Sequence, residues 1–224
     1  MLYSGLDQHN SNLREHQIEA KGKIFDAWDR YDAVMLQMPT GTGKTYLFTS
    51  IVNDLLAAYK EAHRDIHILV VAHRMELLDQ ISATLTRFGI SHGFIQGERE
   101  QHLWKRVQVA SIMSLLTERN YYNTLRLKFD YIIVDEAHHS LADTYIKLFE
   151  LFPEAKKLGV TATPWRLNHE SLAYIATYII PILSEAYSSF VDCFSIFLII
   201  LKSASNLNSN LRGSKVLGHV NHDS

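Results

Sequence analysis

With 224 residues, 47% hydrophobic and 21% charged, the chain has the size for one large domain, or one domain with an appendage, and the composition of an ordinary globular protein. A formal net charge of -2 excludes a chain-wide basic surface and leaves any nucleic-acid contact to a local patch. The single cysteine, Cys193, excludes an internal disulfide and a cysteine-rich zinc site, and the N-terminus MLYSGLDQHNSNLREHQ lacks the basic start and apolar core of a signal peptide, so a reducing compartment, the cytoplasm, is expected.

From residue 12 onward, short apolar runs alternate with longer amphipathic segments, the pattern of βαβ units in a parallel sheet. In chain order the pattern predicts a helix over 12–28, a strand over 33–38 (AVMLQM), a helix over 44–60, a strand over 67–72 (HILVVA) and a helix over 74–88. Strands over 92–97 and 106–111, a short helix over 111–118, a strand over 130–135 (DYIIVD), a helix over 141–151 and a strand over 157–162 complete the series. Most of the strand candidates are continuous aliphatic runs, which suits strands buried on both faces. A doubly wound α/β domain over 1–167 is the expectation.

Near residue 168 the composition changes. Residues 168–224 hold 10 serines in 57 positions, against 8 in the preceding 167, with only 7 charged residues, and the alternation of strand and helix is expected to stop. The apolar run at 179–201 contains Glu185 and Asp192, so it reads as a tail that packs poorly or leans on the domain rather than as a membrane span. The polar end after it has the composition of a disordered segment.

Two motifs carry the chemistry. MPTGTGKT, residues 38–45, lies between a strand candidate and a helix candidate. Glycines at 41 and 43 let the backbone turn its amides inward around phosphate, Lys44 can reach the terminal phosphates, and Thr45 offers a hydroxyl to Mg²⁺. The template G-x-x-x-x-G-K-[ST] has glycine where this chain has Met38; that position is at the strand end, away from the phosphates. The second motif, VDEAHH at 134–139, follows the apolar run YII, so its acids should emerge at the carboxyl end of a buried strand, where parallel sheets gather ligands. There Asp135 would hold Mg²⁺ and Glu136 would orient and deprotonate the attacking water. The plainer alternative is an acidic cap on the next helix. Adjacent His138 and His139 make awkward joint ligands for one metal ion and read better as a link from the nucleotide site to neighbouring loops.

With these motifs in place, the chain resembles the first RecA-like domain of a superfamily 2 DEAD/DEAH-box helicase, closest to the bacterial helicases related to the motor subunits of type I and type III restriction enzymes. The resemblance runs over about residues 12–167, with its signposts in family order. LREHQIEA at 13–20 resembles the adenine-recognising segment, which makes Gln17 the base contact and Arg14 its helper. PTGTGKT and DEAHH are the nucleotide motifs, so Pro39, Thr40, Gly41, Thr42, Gly43, Lys44, Thr45 and Asp135 would hold ATP and Mg²⁺, with Lys44 and Glu136 catalytic. VVAHRMELLDQ at 70–80 and VASIMSL at 109–115 resemble the segments that touch the nucleic-acid backbone, through His73, Arg74 and Ser111; the plainer alternatives are a solvated Arg74 and, compatible with backbone contact, a helix N-cap at Ser111. TATP at 161–164 resembles the motif that couples hydrolysis to strand movement, with Thr161, Thr163 and His138 in that role.

The resemblance implies an ATP hydrolase that moves along nucleic acid, DNA more than RNA, and a second RecA-like domain that supplies an arginine finger. Nothing like that domain follows Arg166, and 58 residues from 167 on are too few for it. The expectation is therefore a truncated chain, slow on its own, completed by a separate domain or subunit. Two alternatives stand beside it: a non-catalytic fragment that binds nucleotide or nucleic acid, and the motor part of a restriction or repair complex.

Overall fold

The computed structural model describes residues 12–96, 102–117, 127–135, 142–162 and 178–181. In chain order the elements are α1 (Glu15–Trp28), β1 (Ala33–Gln37), α2 (Lys44–Glu61), β2 (Ile68–Ala72), α3 (Met75–Arg87), β3 (His92–Ile95), β4 (Val107–Ser111), α4 (Ile112–Leu115), β5 (Tyr131–Asp135), α5 (Ala142–Leu151), β6 (Lys156–Thr161) and β7 (Tyr178–Pro181). The strands form one seven-stranded sheet in the order β3-β4-β2-β5-β6-β1-β7, and every adjacent pair is parallel. This is the doubly wound α/β architecture that the alternating pattern predicts.

The continuous aliphatic runs have their reason in this layout. All five residues of β2, β4 and β5 are buried, which requires cover on both faces. One parity, Val34, Leu36, Ile68, Val70, Val107, Val109, Ile133 and Leu158, belongs to a single apolar cluster with the inward faces of α1, α2 and α3. The other parity, including Met35, Leu69, Val71, Ile132 and Val134, is buried as well. The steps from β1 to β2 to β3 run toward one edge of the sheet and those from β3 to β6 run back, so right-handed crossovers put α2 and α3 on one face and α4 and α5 on the other.

The amino edge of the sheet is locked by side chains that bridge distant parts of the chain. Trp28, fully buried, donates its indole N–H to the Lys157 carbonyl at 3.1 Å and packs on Tyr131 with ring centroids 5.4 Å apart. Lys156 Nζ donates to the Trp28 carbonyl at 2.7 Å and pairs with Asp32 at 2.8 Å, and its donation holds the Asp32 carboxyl below the ordinary value. Lys157 donates to the carbonyls of Pro153 and Ala155, at 2.9 and 2.7 Å, and its burial pulls the ammonium below its usual range.

The sequence pattern misses β7. The run YIIP pairs in parallel with β1, Val34 opposite Tyr178 through Gln37 opposite Pro181, inside the segment where strands were expected to stop. Proline is admissible there because β7 is an edge strand and Pro181 its last residue. The remainder of 168–224, with its apolar run, lies outside the described residues. Among the described residues no helix is long and apolar enough to cross a membrane.

Candidate nucleotide site and the adjoining strand ends

The loop from Met38 to Gly43 connects the carboxyl end of β1 to the first turn of α2. Gly41 and Gly43 take φ of +79° and +86°, a region that side-chain-bearing residues avoid, and Gly43 is the N-cap of α2. The loop thereby reverses over the helix N-terminus, whose first amides lack intrahelical acceptors and whose dipole favours an anion. A Cβ at Gly43 would lie 2.5 Å from Gln17 Nε2, so any other residue there would displace the Gln17 amide as well as strain the backbone. Met38 is fully buried in the apolar cluster, and its N–H donates to the Thr161 carbonyl at 2.9 Å. A side chain that faces the core explains why this position needs no glycine.

Lys44 is 8% exposed; its ammonium lies 3.4 Å from the carbonyl oxygens of both Met38 and Pro39, inside the curve of the loop. Thr42 donates its hydroxyl to the Pro39 carbonyl and so braces the turn from within. Thr45, in the first turn of α2, is half-buried, and Thr40 and Gly41 at the tip are exposed.

Three parallel strands end together beside this loop. Asp135, 3% exposed, closes β5 opposite Val160 of β6, and Thr161, fully buried, closes β6 opposite Gln37 of β1. The fold thus brings Lys44, Asp135 and Thr161 to neighbouring strand ends at one edge. The Asp135 carboxylate and the Thr45 hydroxyl are hard oxygen donors of the kind that suits Mg²⁺, and the glycine-lined turn on the helix N-terminus suits phosphate.

Helix α1 closes the loop from the other side. The Arg14 N–H donates to Gln17 Oε1 at 2.8 Å, half of a capping box, while the Arg14 side chain is exposed. Gln17, 3% exposed, turns its Nε2 onto the carbonyls of Thr42 and Gly43, at 3.1 Å each, and His16 Nε2 lies 3.3 Å from the Thr42 carbonyl. Both Gln17 amide donors are therefore engaged by the loop itself; what Gln17 keeps for a ligand is the second lone pair of Oε1.

A second cluster lies along the same edge. His73 and Arg74 follow β2 directly, Arg74 exposed as the N-cap of α3; Ser111, 6% exposed, ends β4 opposite Ala72 of β2 and is the N-cap of α4. The N-cap reading of Ser111 is correct in position, although its side chain makes no capping hydrogen bond. Strands β5 and β6 separate this cluster from β1, so at about 4.8 Å per strand the loop after β1 is roughly 15 Å from the end of β2, while Asp135, on β5, stands only one strand away. Glu136, His138 and Thr163 lie outside the described residues.

Sequence reasoning missed the pair Lys21 and Asp54, which joins α1 to α2. Their signal was available: opposite charges on the otherwise apolar stripes of two helices, beside Ala20 and Ile24 on one and Ile51 and Leu55 on the other.

Comparison with known proteins gives this geometry a family. A family profile described as type III restriction enzyme, res subunit, matches residues 10–166. A 51.5 kDa protein of Lactococcus phage (isolate 7-9) is 30% identical over 146 residues, covering 65% of this chain and 27% of its own length. The DNA 3'-5' translocase XPB2 of Sulfurisphaera tokodaii is 30% identical over 154 residues, 69% of this chain and 31% of that protein. Among solved structures, the Sulfolobus solfataricus SWI2/SNF2 ATPase core in complex with dsDNA superposes with a TM-score of 0.59 at 19% identity, over 75% of this chain and 36% of that one. The chain thus spans less than a third of either curated relative. With the profile match covering the whole run from α1 to β6 and the RecA-like sheet behind it, the chain belongs to the type III restriction enzyme res subunit family, as a first RecA-like domain of the superfamily 2 helicase type.

Proposed function

We propose that this domain binds ATP with Mg²⁺ in the loop of residues 38–45, contacts DNA along the ends of β2 and β4, and hydrolyses ATP to drive movement along the DNA once a second domain closes over it. The observation that carries the proposal is the meeting of a buried lysine, a glycine-lined helix N-terminus and a buried carboxylate at adjacent strand ends. In this reading the amides of Gly41 to Thr45, with Thr40 at the tip and Pro39 at the base, hold the phosphates, and Lys44 exchanges the carbonyls of Met38 and Pro39 for terminal phosphate oxygens. Thr45 and Asp135 hold the metal ion, which when bound supplies charge neutralisation between the outer phosphates. Glu136, next in sequence to Asp135, accepts the proton of the attacking water. Gln17 meets the base through Oε1 while its amide nitrogen keeps the loop closed, and Arg14 stands at the rim.

His73, Arg74 and Ser111 hold phosphate oxygens of one DNA strand without reading its sequence. DNA is favoured over RNA because the matched translocase acts on DNA by name and the matched ATPase core was solved with dsDNA. Thr161, whose carbonyl receives the Met38 N–H, joins the floor of the nucleotide loop to the segment containing Thr163, and with His138 it would pass the state of the nucleotide toward the DNA side. An arginine finger from a second domain, on another segment or another subunit, is worth about 10³ to 10⁵ in turnover, so this chain alone binds ATP and turns it over slowly. A single cysteine fits a reducing compartment, and the cytoplasm is the setting of this reading.

The test is the ATPase rate of the purified chain with and without single-stranded and duplex DNA, beside ATP affinity. DNA-stimulated turnover that Glu136→Gln removes, and ATP binding that Lys44→Ala abolishes, are expected. Equal ATP affinity in the parent and Lys44→Ala overturns the site.

A further inference from the structure

Helices α1 and α2 meet through a polar seam inside an apolar cluster. Lys21 Nζ donates to Ser50 Oγ at 3.0 Å and pairs with the Asp54 carboxylate, and the two charged side chains are 0% and 1% exposed. Gln17 and Lys21 are four residues apart on α1, as are Ser50 and Asp54 on α2, so each pair stands on one face of its helix. The seam therefore has two rungs: Gln17 on the carbonyls of Thr42 and Gly43, and, one turn further along α1, Lys21 on Ser50 and Asp54.

The second rung is poorly explained as a source of stability. Desolvating two ions is costly, and an apolar pair of similar volume among Ala20, Ile24, Ile51 and Leu55 would hold the helices together as well or better. A directional pair supplies register, because apolar surfaces tolerate small rotations that an ammonium held between a hydroxyl and a carboxylate does not. Register matters one turn away: Gln17 must place both amide hydrogens on two successive carbonyls, and Gly43 leaves no slack, since its hydrogen occupies the space where a Cβ would meet Gln17.

We propose that Lys21 and Asp54 are positioning residues for the nucleotide site, fixing the rotation of α1 on α2 at which Gln17 closes the phosphate loop. The proposal rests on the nucleotide reading given above and assigns neither residue a contact with ATP. Lys21→Met combined with Asp54→Leu replaces the pair by apolar side chains. The swapped protein is expected to unfold at or above the parent midpoint yet bind ATP roughly tenfold more weakly, the factor that one to two ordinary hydrogen bonds represent. Gln17→Ala should lower affinity by a similar factor in the parent and add nothing in the swapped background, because the same interaction has already been lost. A swapped protein that binds ATP as tightly as the parent, or a full additional loss from Gln17→Ala, overturns the proposal and leaves the pair a helix clamp only. If the swapped protein does not fold, Asp54→Asn keeps the shape, removes the charge, and is judged by the same two readouts. An ATP affinity indifferent to Lys44→Ala refutes the nucleotide site itself, a different failure that this control separates.

Discussion

Replacing Gly43 by alanine should be far more damaging than the same change at Gly41, although the two glycines share a loop and a backbone conformation. Alanine in the left-handed region costs about 1–2 kcal/mol, and this applies to both, with φ of +79° and +86°. Around Gly41 nothing lies within 4 Å of the added methyl, so the strain is the whole effect. At Gly43 the methyl would lie 2.5 Å from Gln17 Nε2, and Gln17 must withdraw from the carbonyls of Thr42 and Gly43. Two hydrogen bonds at about 0.5–1.5 kcal/mol each bring the loss at Gly43 to about 2–5 kcal/mol. Urea unfolding followed by circular dichroism measures both variants, and repeating the pair in a Gln17→Ala background should close the gap between them. Equal losses at the two glycines, or a gap that survives without Gln17, would refute the role given to Gln17 as the closure of the loop.

Other consequences are accessible to the same methods. Trp28→Phe leaves the Lys157 carbonyl without its indole donor and should cost about 1–3 kcal/mol in urea unfolding; a loss within 0.5 kcal/mol, roughly the range of neutral surface changes, would mean that the carbonyl is satisfied otherwise. Asp32 has a folded-state pKa lowered from 3.8, so the stability it contributes is complete above that value and is lost as pH falls through the lower folded value. Because Asp32 is largely exposed the contribution is under about 1 kcal/mol, and Asp32→Asn should flatten the acid limb of the stability profile by that amount while leaving the neutral region parallel to the parent. Arg74→Ala should weaken DNA binding, reduce the salt slope of the affinity by about one, and leave ATP affinity unchanged; an unaltered slope excludes Arg74 from the phosphate track.

The central strands were legible because burial on both faces requires continuous aliphatic runs, and ILVVA and YIIVD admit little else. The turn of residues 38–43 into α2 was legible because two glycines between an apolar run and a helical segment ask for a tight reversal there. Strand β7 was not, since YIIP adjoins a longer apolar run in a segment of altered composition and its proline reads as a breaker unless the strand is known to lie at an edge. Lys21 and Asp54 were passed over for a different reason: their place on apolar stripes was visible, but a charge on a helix is ordinarily solvated, and only the packing of α1 on α2 buries these two together. Gln17 was read as a candidate site residue, but its engagement with the loop carbonyls depends on a tertiary approach that no local pattern encodes.

Strand β1, which leads into the phosphate loop, hydrogen-bonds to β6 and β7, elements that begin at Lys156 and Tyr178. During synthesis from the N-terminus, the first strand made must wait for more than a hundred further residues before either neighbour exists. The pairings β2·β4, β3·β4 and β2·β5 all involve strands made before β6, so half of the sheet can assemble on the ribosome while β1 and its loop have no strand partner. Nascent chains arrested before residue 156 should therefore not be held by an ATP resin, whereas chains that expose β6 and β7, through residue 181, should be. The long reach of β1 makes the nucleotide loop a late checkpoint on the birth of the domain.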